Sequence, residues 1–260
     1  MHQAFALLVA LPLLSIQAQG YAAPAARPVE LVSPHEPNRP LADRLADDAA
    51  AAVERLASSA SWQAAWQASR KLLAERAPEV QRSRGAVAAA LALVALADAG
   101  TGDEDGALCR WRAALSFDPS LVEADLSAYG AAGQLLEEHP LENLENAEQS
   151  PRRLVPAKGA VTSQVTPPEI VSTRRPEYTL AARQARVAGT VILEAVINEK
   201  GRIVQTRVLK GLPFGLDVQS VDAVCDWTFK PATLLGRPVP VYYVLTVNFQ
   251  PHDDTPPVQP

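Results

Sequence analysis

The sequence predicts an α+β protein: an N-terminal all-α, repeat-like helical domain, then a small domain with a three-stranded antiparallel sheet and two helices. Three observations carry that prediction. From Leu41 to Glu138, apolar residues recur at steps of three and four in an Ala- and Leu-rich background. From Gly189 the period changes to two, and between these stretches prolines collect at Pro140, Pro151, Pro156, Pro167 and Pro168.

The first residues set the compartment. Ala4 to Ile16 is an uncharged apolar run, and Ala18-Gln19-Gly20 offers a cleavage site before Tyr21. Residues 1–20 are read as a signal peptide or a membrane anchor, since no charge appears until Arg27 and the apolar stretch extends to Ala26. The expected location is therefore periplasmic, with inner-membrane anchoring as the alternative. No cysteine lies near this run, which excludes a lipoprotein. Residues 21–40 form a Pro-rich linker.

Residues 41–138 make up the helical domain. Leu41, Leu45, Ala49, Val53 and Leu56 mark one face of a first helix. Ser61 is placed to cap a second helix, which carries Trp62, Trp66 and Leu73 and is closed by Pro78. Ala86–Ala99 is nearly all apolar and predicts a helix buried on most sides, broken at Gly100-Thr101-Gly102. Asp103-Glu104-Asp105 then supplies acids to the positive end of a fourth helix. Leu121–Leu136, with Tyr129, predicts a further or capping helix. The third and fourth helices resemble one tetratricopeptide repeat through Ala95, Ala107, Trp111, Ala114 and Pro119, with a generic bundle as the other reading. Asp98 stands where that family usually has an aromatic residue.

Residues 139–166 read as a linker, 167–250 as the sheet domain, and 251–260 as a disordered tail. In the sheet domain, Val191, Leu193, Ala195 and Ile197 fall on one face of a strand, as do Val241, Tyr243, Leu245, Val247 and Phe249. The ordered set Pro176-Glu177-Tyr178, Gly189-Thr190-Val191, Asn198-Glu199-Lys200-Gly201, Leu216-Asp217, Trp227–Ala232 and Gly236–Val239 resembles the C-terminal domain of the TonB family. That resemblance implies capture of an extended partner segment by strand addition near the last strand, the partner being a segment of an outer-membrane receptor. The implied contact residues are Pro176, Tyr178, Tyr242, Val244, Thr246 and Asn248. Asp217 is expected as a helix-start acid, and Trp227 and Phe229 as core.

Two departures from the family pattern stand out, the first bearing on receptor specificity and the second on energy transduction, for which the family uses inner-membrane motor proteins. Thr179 replaces the second proline of the family's Gln-Pro-x-Tyr-Pro-type segment, and Arg174-Arg175 replaces the glutamine. Ser15 is followed four places on by Gln19 rather than the family's histidine. Two readings follow: a transducer joining inner-membrane energy to outer-membrane transport, or a periplasmic protein–protein adaptor without energy transduction.

No catalytic constellation is found. His2, His35, His139 and His252 lie in the leader, Pro-rich loops and tail, without metal or triad spacing, so no cofactor, metal or catalytic residue is assigned. A net charge of −5 without a clustered basic face argues against nucleic acid. Cys109 and Cys225 are too few for a disulfide scaffold; the expected role of Cys109 is a small buried hydrophobe, with a Cys109–Cys225 bridge as the alternative that needs both domains docked.

Overall fold

The computed structural model describes residues 48–80, 83–140, 152–153 and 165–250. The readings for residues 1–20, 21–40 and 251–260, and most of the linker, lie outside them.

Among the described residues five α-helices come first: α1 (Asp48–Ser58), α2 (Trp62–Arg76), α3 (Arg84–Thr101), α4 (Glu104–Phe117) and α5 (Gly130–Glu137). The centre is α3, whose residues Val87 through Asp98 are all buried, as an all-round apolar sequence requires. Its N-terminus is capped by Ser83, which accepts from the Ala86 N–H, and it ends at Gly102 in the left-handed conformation. The helix therefore runs through Gly100 rather than breaking there. A methyl group at Gly100 would come within 1.9 Å of the Trp62 ring, so this glycine serves close packing of α2 on α3.

Asp103 caps α4 by accepting from the Gly106 N–H, as its acids predict. Ser61 occupies the N-cap position of α2, but its hydroxyl meets that of Ser59 instead of capping the helix. The single helix expected over Leu121–Leu136 is replaced by two 3-10 turns, Pro119–Glu123 and Ser127–Tyr129, and the short α5. The reason is local: Gly130 has φ +57 and breaks the run just after Tyr129. Ala95, Ala107, Trp111 and Ala114 are all core.

The sheet domain contains β2 (Val165–Thr166), β3 (Glu169–Ser172), α6 (Leu180–Gln184), β4 (Gly189–Ile197), β5 (Ile203–Lys210), α7 (Leu216–Val224), β6 (Thr228–Lys230), β7 (Thr233–Leu234), β8 (Arg237–Pro238) and β9 (Val241–Phe249). The main sheet has the predicted antiparallel strands β9, β4 and β5, and a fourth that sequence reading did not find. This is β1 (Arg152–Arg153), so the order is β1-β9-β4-β5. The strand residues Val191, Leu193, Ala195 and Ile197 are buried together with Val241, Leu245, Val247 and Phe249, in one core with α7. Trp227 and Phe229 join that core. Short ladders β3–β6 and β2–β7–β8 flank it.

The helical and sheet parts are packed as one unit. Helix α4 lies against β5, and Cys109 and Ala113 enter the sheet core. Cys109 and Cys225 form a disulfide across 116 residues of sequence, with S–S 2.02 Å. The expected role of Cys109 is thereby corrected: both sulfurs are buried, as small hydrophobes would be, but docking brings them to bonding distance. Gly215, at φ +77, makes room for that docking, since a methyl group there would come within 2.3 Å of the Ala77 carbonyl.

Candidate functional site

Strand β9 has β4 on one side over its full length, from Ile197 against Val241 to Gly189 against Phe249. On the other side β1 pairs in parallel, Arg152 with Val241 and Arg153 with Tyr242. Among the described residues no strand pairs with that side beyond Tyr242. Among the described residues Tyr243 to Phe249 is therefore an open edge, and an open edge is a template for another strand.

The outward-facing residues of β9 differ along its length. Tyr242 is only 9% exposed, whereas Val244 is 38% exposed and Thr246 and Asn248 are exposed as well. Asn248 is oriented by the Thr190 hydroxyl across the β4 pairing, which donates to its Oδ1 at 2.9 Å. Pro176 and Tyr178 lie in the segment leading into α6, and both are half-buried. The Tyr178 ring packs 5.7 Å from that of Phe249, and its hydroxyl donates to the Val187 carbonyl. Tyr178 thus ties the segment to the end of β9, while Val244, Thr246 and Asn248 offer the exposed surface.

A second constellation sits where the helical and sheet parts meet. Arg110, on α4, is fully buried and reaches three carboxylates: Asp222 at 2.7 Å, Asp98 at 2.8 Å and Asp226 at 2.5 Å. Arg70, from α2, contacts Asp222 at 3.1 Å and Asp226 at 3.0 Å. Arg174 approaches the same two acids at 2.5 and 2.6 Å. Asp98 also accepts from the Trp66 indole N–H at 2.8 Å. Three arginines and three aspartates thus join α2, α3 and α4 to α7 and to the segment before Pro176. A cavity of about 290 Å³ beside the network is lined by Gln63, Trp66, Arg70, Asp98, Thr101, Asp103 and Asp226.

Burial and pairing compete differently at each group. Burial opposes the Arg110 charge, but Asp222, Asp98 and Asp226 outweigh it and hold the guanidinium protonated. Burial likewise opposes the Asp222 charge, and Arg110, Arg70 and Arg174 outweigh it, holding that carboxyl well below its usual range. At Asp98 burial wins, pushing the carboxyl up to about 6 against the pull of Arg110 and Arg70. The sequence carried a signal for this network: Asp98 is the one acidic residue of α3 and stands inside its apolar run.

A docked helical part and an antiparallel sheet covered by helices define the class: an α+β domain fused to a helical one. Residues 174–251 match the family of the Gram-negative bacterial TonB protein C-terminal, so the chain carries a TonB C-terminal domain. A solved structure, the solution NMR structure of Pseudomonas aeruginosa TonB CTD, aligns with 21% identity over 34% of this chain and 88% of that chain, with a TM-score of 0.26. No curated protein matches.

Proposed function

We propose that this protein binds an extended segment of a partner by strand addition to β9, in association with energised outer-membrane transport. The observation that carries this reading is the open Tyr243–Phe249 edge, with Val244, Thr246 and Asn248 exposed, inside a TonB C-terminal match. Main-chain pairing supplies affinity, and pockets beside alternate side chains supply selectivity. The partner is the extended box of an outer-membrane receptor, and Pro176 and Tyr178 shape the end of the site. The protein acts without catalysis, cofactor or metal.

The location we propose is the periplasm. A buried disulfide joining the two parts supports it, because such bridges form and persist in oxidising compartments. The test of binding is titration of the full chain with synthetic peptides from receptor boxes of the same bacterium. Thr246→Pro removes a ladder donor and should weaken the best peptide at least tenfold. Unchanged affinity in a folded Thr246→Pro variant would exclude capture at that strand.

One observation favours an adaptor without energy transduction. The helical part is fastened to the sheet domain by the disulfide and the arginine–aspartate network, rather than held apart from it by a spacer. Such a fused body presents a second binding surface beside the first. The mature N-terminus, read by intact mass after cell fractionation, separates the readings. A soluble chain beginning near Tyr21 supports the adaptor; a membrane-bound chain retaining residues 1–20 supports coupling to inner-membrane motor proteins.

A further inference from the structure

We infer that Arg152–Arg153 is an internal guard strand: it occupies the Val241–Tyr242 end of the β9 edge, and an incoming partner strand displaces it. This rests on the strand-addition reading and adds a regulation of the same site.

The first observation is register. Arg152 pairs with Val241 and Arg153 with Tyr242, in parallel, on the side of β9 that β4 does not use. The chain's own segment therefore takes the position that a captured peptide would take. The second is the gradient of exposure along β9. Tyr242, at the paired end, is buried, whereas Val244, Thr246 and Asn248, past the last pair, are exposed. Among the described residues, the occupied and open stretches of one edge lie next to each other.

The third observation is in the sequence around the strand. Pro151 precedes Arg152 directly, and Pro156 follows Arg153 by three residues. Neither proline has an N–H to give to a ladder, so the sequence itself limits how far this strand can lengthen along β9. Among the described residues two pairs hold the guard, while the open stretch offers seven residues to a competitor. Tethering raises the guard's effective concentration enough to keep it in place without a partner. The short register keeps it displaceable. An occupant of this design excludes weak or short strands and yields to one that pairs along the whole edge.

The experiment uses the ¹⁵N-labelled full chain in three forms: unmodified, Arg152→Pro/Arg153→Pro, and a version with residues 150–155 replaced by Gly-Ser repeats. Each is titrated with two probes, a peptide of residues 149–157 and the receptor-box peptide that binds best to the unmodified chain. Amide shifts over Val241–Phe249 report occupancy. Unchanged shifts elsewhere and an unchanged Tm establish that the variants fold, and the second variant serves if proline disturbs the sheet. Both probes are expected to bind the two variants at least fivefold more tightly than the unmodified chain. Equal affinities across the three forms would overturn the guard while leaving edge capture intact. No binding of either probe to any form would instead remove edge capture, and the guard with it.

Discussion

The two outer sides of the antiparallel set β9-β4-β5 have the same backbone chemistry and opposite surroundings. At β5 the sheet is met by α4. A bulge in the β4–β5 register leaves Val204 outside the pairing, and its carbonyl accepts from Arg112 at 3.3 Å. Asp105 accepts from Asn198 and Asp103 from Arg202, each at 2.8 Å, so the turn after β4 is also fastened to α4. At β9 the neighbour is two residues of linker. The difference teaches where function can lie: a sheet with both ends covered cannot accept a strand, and one with both ends open invites edge-to-edge association. Docking the helical part closes one end and leaves the other available.

The strongest way to break this contrast is to unfasten α4. Arg110→Met leaves Asp98, Asp222 and Asp226 without their shared buried cation, and should cost about 3–5 kcal/mol. Urea unfolding followed by tryptophan fluorescence measures it; a loss below about 1 kcal/mol would show that the network does not hold the two parts together. Next in size is the disulfide. Cys109→Ser/Cys225→Ser opens a loop of 116 residues and should cost about 2–4 kcal/mol. An identical denaturation midpoint with and without the bridge would argue that docking needs no covalent tie.

Gly215→Ala tests close approach alone. Its φ of +77 and the Ala77 carbonyl at 2.3 Å from an added methyl group both oppose the change. A loss of about 1–3 kcal/mol is expected, with the largest increase in hydrogen exchange along β5. Exchange rising uniformly over the whole chain would point to global destabilisation instead of local undocking.

The smallest effect at neutral pH is expected for Asp98→Asn, which sharpens the comparison through pH. Burial lifts the Asp98 carboxyl to about 6, so the folded form binds a proton more readily than the unfolded chain. Its contribution to stability is present at low pH and is lost as pH rises through about 6. Asp222 is shifted the other way, so its contribution is present above the ordinary aspartate value of about 4 and is lost as pH falls below it. Asp98→Asn should flatten the Tm profile between about pH 4 and 6 while leaving acid unfolding below about pH 4 in place. A variant profile parallel to the unmodified one would rule out Asp98 as the titrating group.

Much of the sheet domain was legible because its signals are local. Period-two alternation in Gly189–Ile197 and Val241–Phe249 follows from strand geometry alone, and Gly201, at φ +78, marks the turn between β4 and β5. The apolar run of α3 required a buried helix whatever its neighbours. The stretch after Pro119 was harder: Leu121–Leu136 carries helical spacing, and the turn at Gly130 overrides it. The candidate edge was half legible. Val244, Thr246 and Asn248 could be placed on one face by counting. That Tyr242 is buried where β1 pairs could not, because two arginines between prolines give no strand signal.

The sequence by itself determined the long helices α2 to α4, the strands β4 and β9 with their buried faces, and the resemblance of the last third of the chain to TonB C-terminal domains. Each follows from spacing within a few residues. Tertiary structure alone decided that Cys109 meets Cys225, that Arg110 collects carboxylates from α3 and α7, and which end of the sheet is covered. Those outcomes join residues separated by 12 to 116 positions. Contact at such separations depends on how surfaces dock, and no periodicity in the chain records it.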